Sequence, residues 1–357
     1  MNDTKSGSRA RKIGWLCSYV PEELILAAGF QPTRIVGRVE YVKQAESYMF
    51  PNFCPYLKNV LDSGLTDEYQ DIEGIIFTNS CDGTRRLYDL WRNNVKTPFI
   101  HMLEVPKNRD ESAVQYFSGQ LKVLNHTLQE FSRSRESGDV LNESVSLMNE
   151  HRRLMTGFFN KQKAVPAPFT GTDLATLSLD AMTLLKEETS AKLRAVSALQ
   201  RSSDNTSGIS PRVLVTGNIV DKPLLFKMIE DSGATVVTFD TCGGPRHWEG
   251  QVELSANPID SLARRYLLKQ LCPRMPGLDQ RIEQINRLIQ DYAIDGVIYT
   301  TVKCCDYGLF EAPVVQKGLK NPKIPFLMIE NDYVWGDEGR VKVRIEAFVE
   351  MMKDDLY

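Results

Sequence analysis

No stretch of this 357-residue chain comes near the roughly 18 consecutive apolar residues needed to cross a bilayer. Its opening segment, MNDTKSGSRARK, is polar and lacks the apolar core of a secretory signal. The expectation is a cytoplasmic protein with no membrane role, in a compartment where thiols stay reduced. A surplus of positive charge is also missing. The formal net charge is −3, which argues against nucleic acid as a partner. Cysteine is sparse and odd in number, seven residues, which argues against a disulfide framework. The cysteines form no C-x-x-C pair and no ferredoxin-type run, and the four histidines stand apart from them. Whatever the thiols do together, the fold must gather them.

What is present is an alternation of short apolar runs and helical stretches, the grammar of a parallel α/β sheet. The run 11–20, TRIVG (33–37), IEGIIFT and KTPFIHML are strand candidates. PEELILAAG (21–29) and CPYLKNVLDSG (54–64) are helix candidates, with Pro21 at a first helical position and Gly29 and Gly64 as stops. From about 110 to 200 the pattern becomes long helices without strands, ending in the Ser/Gly/Asn-rich segment 200–211. The α/β pattern then returns through PRVLVTGN (211–218), ATVVTFDTCGG (234–244), IDGVIYTTVK and KIPFLMIENDY, and closes on the helix RVKVRIEAFVEMM (340–352). The chain is too long for one core. The expected organisation is a disordered lead at 1–11, an α/β domain at 12–109, a helical segment and linker at 110–210, and a second α/β domain at 211–357.

The two α/β segments resemble each other. IEGIIFTNSCDG matches IDGVIYTTVKCCDY, KTPFIHML matches KIPFLMIE, and Cys54-Pro55 and Cys272-Pro273 precede the two units. This is an internal duplication. Ligands of open parallel sheets bind beyond the carboxyl ends of the strands. Cys81 and the pair Cys304-Cys305 stand there in their respective halves, and Cys17 and Cys242 also follow apolar strands. Thiolates gathered by a fold suit an iron–sulfur cluster or zinc; small buried hydrophobes are the plain alternative. Cys54, Cys81 and Cys305 favour a ligand role because each lies in a polar loop: NFCPY, NSCDG and KCCDY. By the duplication Cys305-Asp306 is the counterpart of Cys81-Asp82, and Cys304 is the extra thiol.

The segments GWLCSYVPEELILAAGFQPTRIVG, FCPYLKNVLDSG, SCDGTRRLYDLW, VTGN, DTCGGPR, DGVIYTTVKCCD and RIEAFVE resemble the 2-hydroxyacyl-CoA dehydratase family (its D-component). That family includes benzoyl-CoA reductase subunits and the double-cubane-cluster reductases. The resemblance runs over roughly 12–352. It implies two related flavodoxin-like domains with a helical insert and an iron–sulfur cluster between the domains. Cys54, Cys81 and Cys305 would be the ligands of a [4Fe-4S] cluster. Cys17, Cys242, Cys272 and Cys304 are possible additional ligands, since six of these thiols match the branch that holds an [8Fe-9S] double cubane. The implied activity is a lyase reaction, removal of water from an (R)-2-hydroxyacyl-CoA through a ketyl radical. A benzoyl-CoA-type or double-cubane reductase, or a non-catalytic electron relay, are the alternatives. The implied partners are an acyl-CoA substrate, a sister subunit or second copy, and an ATP-dependent iron–sulfur activator.

Smaller features have plainer expected roles. Asp82 and Asp306 are expected to cap the helices that follow them, and Arg85 and Arg86 to lie on a solvated helix face. Gly217 is expected in a tight turn, His247 in a solvated loop beside Trp248, and Glu346 to support the closing helix.

Overall fold

The computed structural model describes residues 10–133, 138–198 and 210–354. The expected lead at 1–11 and the expected linker at 200–211 lie almost wholly outside the described residues. Among the described residues, eight strands form two four-stranded parallel sheets. The first holds β1 (Lys12–Trp15), β2 (Gln31–Arg34), β3 (Ile72–Thr78) and β4 (Phe99–Leu103), in the order β2-β1-β3-β4. The second holds β5 (Arg212–Gly217), β6 (Thr235–Asp240), β7 (Gly296–Val302) and β8 (Phe326–Asn331), in the order β6-β5-β7-β8. Matched strand for strand, the two orders are the same, so the sequence duplication is a duplication of topology. The inner strands β5 and β7 are buried at every residue, as expected of parallel strands covered on both faces. The second strand was expected at 33–37 and instead begins at Gln31. Pro32 is tolerated there because β2 is an edge strand.

In the first half the helices are α1 (Glu22–Ala27), α2 (Pro55–Leu65) and α3 (Asp82–Asn94). A helical layer follows: α4 (Glu111–Ser132), α5 (Gly138–Lys161), α6 (Gly171–Thr183) and α7 (Lys186–Ala198). The second half adds α8 (Leu224–Asp231), the short α9 (Pro245–Trp248), α10 (Pro258–Leu268), α11 (Leu278–Asp291), α12 (Asp306–Lys317) and α13 (Glu338–Asp354). Helix α6 packs on both edge strands, β2 and β6. The Thr183 carbonyl at its end accepts from Gln31 Nε2 (3.0 Å) and Thr33 Oγ1 (3.3 Å), and Thr172 near its start donates to Glu230 Oε2 (2.7 Å). The helical layer therefore joins the sheets. One apolar cluster runs through Ile13, Trp15, Phe117, Leu121, Phe158, Leu174, Val213 and Val215. Each such side chain contributes roughly 1.5–3 kcal/mol relative to exposure.

The joint is also ionic. Helix α1 enters the core with two fully buried glutamates, Glu22 and Glu23. Glu22 lies 2.6 Å from Lys186 Nζ and accepts from His247 Nε2 at 3.1 Å. Glu23 pairs with Arg152 and accepts from the Tyr266 hydroxyl at 2.8 Å. The partners come from α5, α7, α9 and α10, so two adjacent side chains tie the first half to the helical layer and the second half. Burial works to raise the Glu22 carboxyl, but Lys186 and the hydrogen bond from His247 outweigh it and hold it at about 2. His247 is itself pushed down to about 3, chiefly by burial. It is therefore neutral and donates through Nε2. The expectation of a solvated His247 is wrong: it is 2% exposed and stacks on Trp15, ring centroids 5.3 Å apart. The segment after CGG turns inward as α9 and carries the ring into the core.

Gly217 was expected in a tight turn and is instead the last residue of β5, paired with Thr300 of β7. Its φ is +127°, and a Cβ there would come within 1.9 Å of the Thr300 carbonyl oxygen. Asn218, directly after it, donates to Thr301 Oγ1 (2.6 Å) and accepts from the Val302 amide (3.3 Å). Gly217→Ala should cost about 2 kcal/mol or more, read as a lowered midpoint in thermal or urea unfolding; an unchanged midpoint would contradict the strain. Glu22 adds a pH dependence. Its folded value lies below its ordinary 4.5, so its contribution is complete above that value and is lost as pH falls toward 2. Lys186→Met should destabilise the protein at neutral pH by about 3–5 kcal/mol and move acid unfolding to higher pH.

Candidate functional site

Three cysteines occupy the same structural position on three helices. Cys54 is the N-cap of α2, Cys81 of α3 and Cys305 of α12. The N-terminus of a helix carries unpaired amides and partial positive charge, which favours a thiolate. At Cys81 the amide of Thr84 donates to the sulfur at 3.4 Å. Asp82 and Asp306 are first helical residues rather than caps; the cysteines have taken the capping position. Arg85 and Arg86 lie on the exposed face, as expected, and Arg86 reaches Asp82 at 3.5 Å. Lys342 lies 3.9 Å from Glu346, one turn along α13.

The two adjacent cysteines differ in backbone geometry and burial. Cys304 has φ +59°, the left-handed conformation, and its side chain is exposed. Cys305 is 5% exposed and packs in the same apolar cluster as Leu57, Phe77, Ile219 and Val302. That cluster draws on both halves, so the carboxyl ends of the sheets meet around it. Arg34 at the end of β2 pairs with Asp221 of the second half at 3.1 Å, and the Gly37 amide donates to the Tyr333 hydroxyl at 2.8 Å. The Cys54 and Cys81 segments are pressed together at Gly83, where a Cβ would come within 2.7 Å of Leu57 Cδ1.

Cys54 lies within electrostatic reach of Cys81 and Cys305. The residue that binds the group together is Arg274, which no sequence motif singled out. It lies in the loop between α10 and α11, and its Nη2 donates to Cys305 Sγ at 3.6 Å. Its Nε is enclosed and has no hydrogen-bond partner among the described residues. Lys107 locks this loop to the first half by donating to the carbonyls of Ser80 (2.8 Å) and Arg274 (3.2 Å). Burial works to raise Cys81, but Arg274 and the Thr84 hydrogen bonds outweigh it and lower the thiol below its ordinary value. Burial dominates at Cys54 and pushes it up to about 12. The signal available in the sequence was CPRMPG, an arginine directly after a Cys-Pro in a proline-rich loop.

The remaining buried or half-buried cysteines form a second set. Cys242 lies in the field of Cys272. Cys17 and Cys272 both act on Tyr19 and Lys269, and Arg274 reaches Cys272 and Cys242 as well as the first set. Cys272 does not correspond closely to Cys54, because α11 begins only at Leu278. Among the described residues, no three His, Cys, Asp or Glu side chains are arranged to hold a metal ion. The fit to a cluster is one of donor type and charge: soft sulfur ligands at three helix N-termini, beside a cation whose Nε has no partner. A thiolate-bound cluster is an anion that would supply one.

Comparison with known proteins adds the relatives of this chain. The family described as "2-hydroxyglutaryl-CoA dehydratase, D-component" matches residues 17–352. The (R)-phenyllactyl-CoA dehydratase beta subunit of Clostridium sporogenes is 26% identical, over 98% of this chain and 93% of its own length. The putative dehydratase subunit YjiM of Escherichia coli (strain K12) is 25% identical, over 95% and 91%. A benzoyl-CoA reductase subunit of Thauera aromatica is 23% identical, over 98% and 93%. With nearly its whole length matched, the chain belongs to the 2-hydroxyglutaryl-CoA dehydratase D-component family.

Proposed function

We propose that this chain is the iron–sulfur subunit of a 2-hydroxyacyl-CoA dehydratase, a lyase removing water from an (R)-2-hydroxyacyl-CoA through a ketyl radical of the thioester. The observation that carries the reading is the convergence of Cys54, Cys81 and Cys305, three helix N-caps from both halves, beside Arg274. These three thiols would hold a [4Fe-4S] cluster. When bound, such a cluster supplies one-electron chemistry and, at an iron without a protein ligand, Lewis acidity. The chain's own residues provide the rest. The helix N-termini and Arg274 offset the negative charge of the sulfur ligands. Thr84 orients Cys81, and Lys107 holds the loops of the two halves together. Ile219, Val302 and Phe77 belong to the same cluster of buried side chains and keep water from the thiols.

A sister subunit or second copy, and an ATP-dependent activator supplying electrons, complete this reading. Support for the sister subunit comes from relatives named as beta subunits and from an exposed stripe, Tyr307, Phe310 and Val314, on the helix that Cys305 caps. The second set of thiols favours one other reading. Cys17, Cys242 and Cys272 lie near Arg274 or its neighbours, and six thiolates would suit an [8Fe-9S] double cubane in a reductase.

Iron and sulfide analysis after anaerobic purification tests both. About four irons per chain are expected on the first reading. Cys305→Ser should lose most of them, while Cys304→Asn, which tolerates the left-handed backbone, should keep them. Iron retained by Cys305→Ser and lost by Cys304→Asn would reverse the assignment. About eight irons, halved by Cys242→Ser or Cys272→Ser, would replace the first reading with the second. Iron-free, normally folded protein would remove both.

A further inference from the structure

Three buried arginines of this protein meet carboxylates. Arg34 pairs with Asp221 at 3.1 Å, Arg281 with Asp240 at 2.6 Å, and Arg152 with Glu23. Arg274 is different. Its Nη2 donates to Cys305 Sγ at 3.6 Å. The charges that act on it most are those of the thiols Cys81, Cys305, Cys272 and Cys242, and Arg274 in turn acts on Cys54. A guanidinium matched by a carboxylate presents little net charge to its surroundings. One that faces thiols directs its charge at whatever those thiols hold.

The residue is also held in place. Pro273 and Pro276 flank its segment and fix the backbone there, and the Met275 amide closes a turn on the Cys272 carbonyl at 2.9 Å. Lys107 donates both to the Arg274 carbonyl (3.2 Å) and to that of Ser80 (2.8 Å), the residue before Cys81. The guanidinium lies 5.6 Å from the ring centre of Tyr307, in the first turn of α12. The second half therefore lends a fixed cation to thiols of both halves. Arg85, on the helix that Cys81 caps, has the same charge but is exposed to solvent, where water and salt screen it.

We propose that Arg274 sets the redox poise of this site, raising the reduction potential of the cluster held by Cys54, Cys81 and Cys305. The inference rests on the reading of these thiols as cluster ligands. Taking up one electron from a low-potential donor adds one negative charge to a thiolate-bound cluster. A fixed cation, and an N–H donor on a ligand sulfur, stabilise the reduced form more than the oxidised one. Both effects come from the one guanidinium, and Lys107 positions it by holding its backbone.

Redox titration of the full chain, purified anaerobically, with dithionite as electron donor and electron paramagnetic resonance as readout, tests the proposal without any assay of activity. Arg274→Gln should keep its iron and lower the reduced-to-oxidised ratio at a fixed potential about tenfold, or about 59 mV for a one-electron couple. Arg274→Lys keeps the charge and should stay within about threefold of the native ratio. Arg85→Gln should change the ratio less than about twofold. An unaltered midpoint in iron-loaded Arg274→Gln, or an equal fall in Arg274→Lys or Arg85→Gln, would overturn the proposal and leave the cluster reading standing. If Arg274→Gln loses its iron, Lys107→Gln decides the matter: a fall in the same direction is expected, and an unaltered midpoint overturns the proposal. Native protein that folds without iron would remove the cluster reading, and this inference with it.

Discussion

Everything at the thiol site rests on how the two half-structures are held against each other, and the buried ion network of α1 is the centre of that joint. Glu22 and Glu23 are adjacent in sequence yet reach α5, α7, α9 and α10 through Lys186, His247, Arg152 and Tyr266. Removing a buried charge's partner costs several kcal/mol, so each of these contacts restricts the others. Apolar packing would tolerate some sliding between the halves; paired charges with fixed donors do not. Helix α6, seated on β2 and β6, restrains the same joint from the side.

Given that joint, the carboxyl ends of both sheets meet, and the duplication acquires its chemical meaning. Cys81 and Cys305 are equivalent residues of repeated units, each the cap of the helix after the third strand of its half. Neither half alone assembles the set. Cys54 and Cys81 come from one half, Cys305 and Arg274 from the other. The positive charge that faces these thiols comes from helix ends and one guanidinium.

Much of this was legible in the chain. The alternation of apolar runs marked both sheets, and the repeated acidic-Gly strand followed by Cys-Asp marked the duplication. The polar settings of Cys54, Cys81 and Cys305 made them the ligand candidates, and all three stand at helix N-caps. Local chemistry pointed elsewhere in three places. Asp82 and Asp306 are ordinary capping residues by type, but the cysteines before them took that position. His247 follows two glycines in what reads as a loop, and the fold turns it into the core against Trp15. Cys272-Pro273 imitates Cys54-Pro55 in sequence, yet the helix after it starts only at Leu278.

The family, the two parallel sheets and the cysteines at repeated positions are written in the chain itself, because hydrophobic periodicity and motif order are local properties. Which thiols gather, and beside what charge, is settled only once the chain has folded. Arg274, Lys107 and Glu22 act across long separations in sequence, and no local pattern records those pairings. The choice between Cys304 and Cys305 shows the division most plainly. The duplication pointed to Cys305. The left-handed backbone at Cys304 then leaves that residue's own side chain exposed and sets Cys305, buried, at the helix cap.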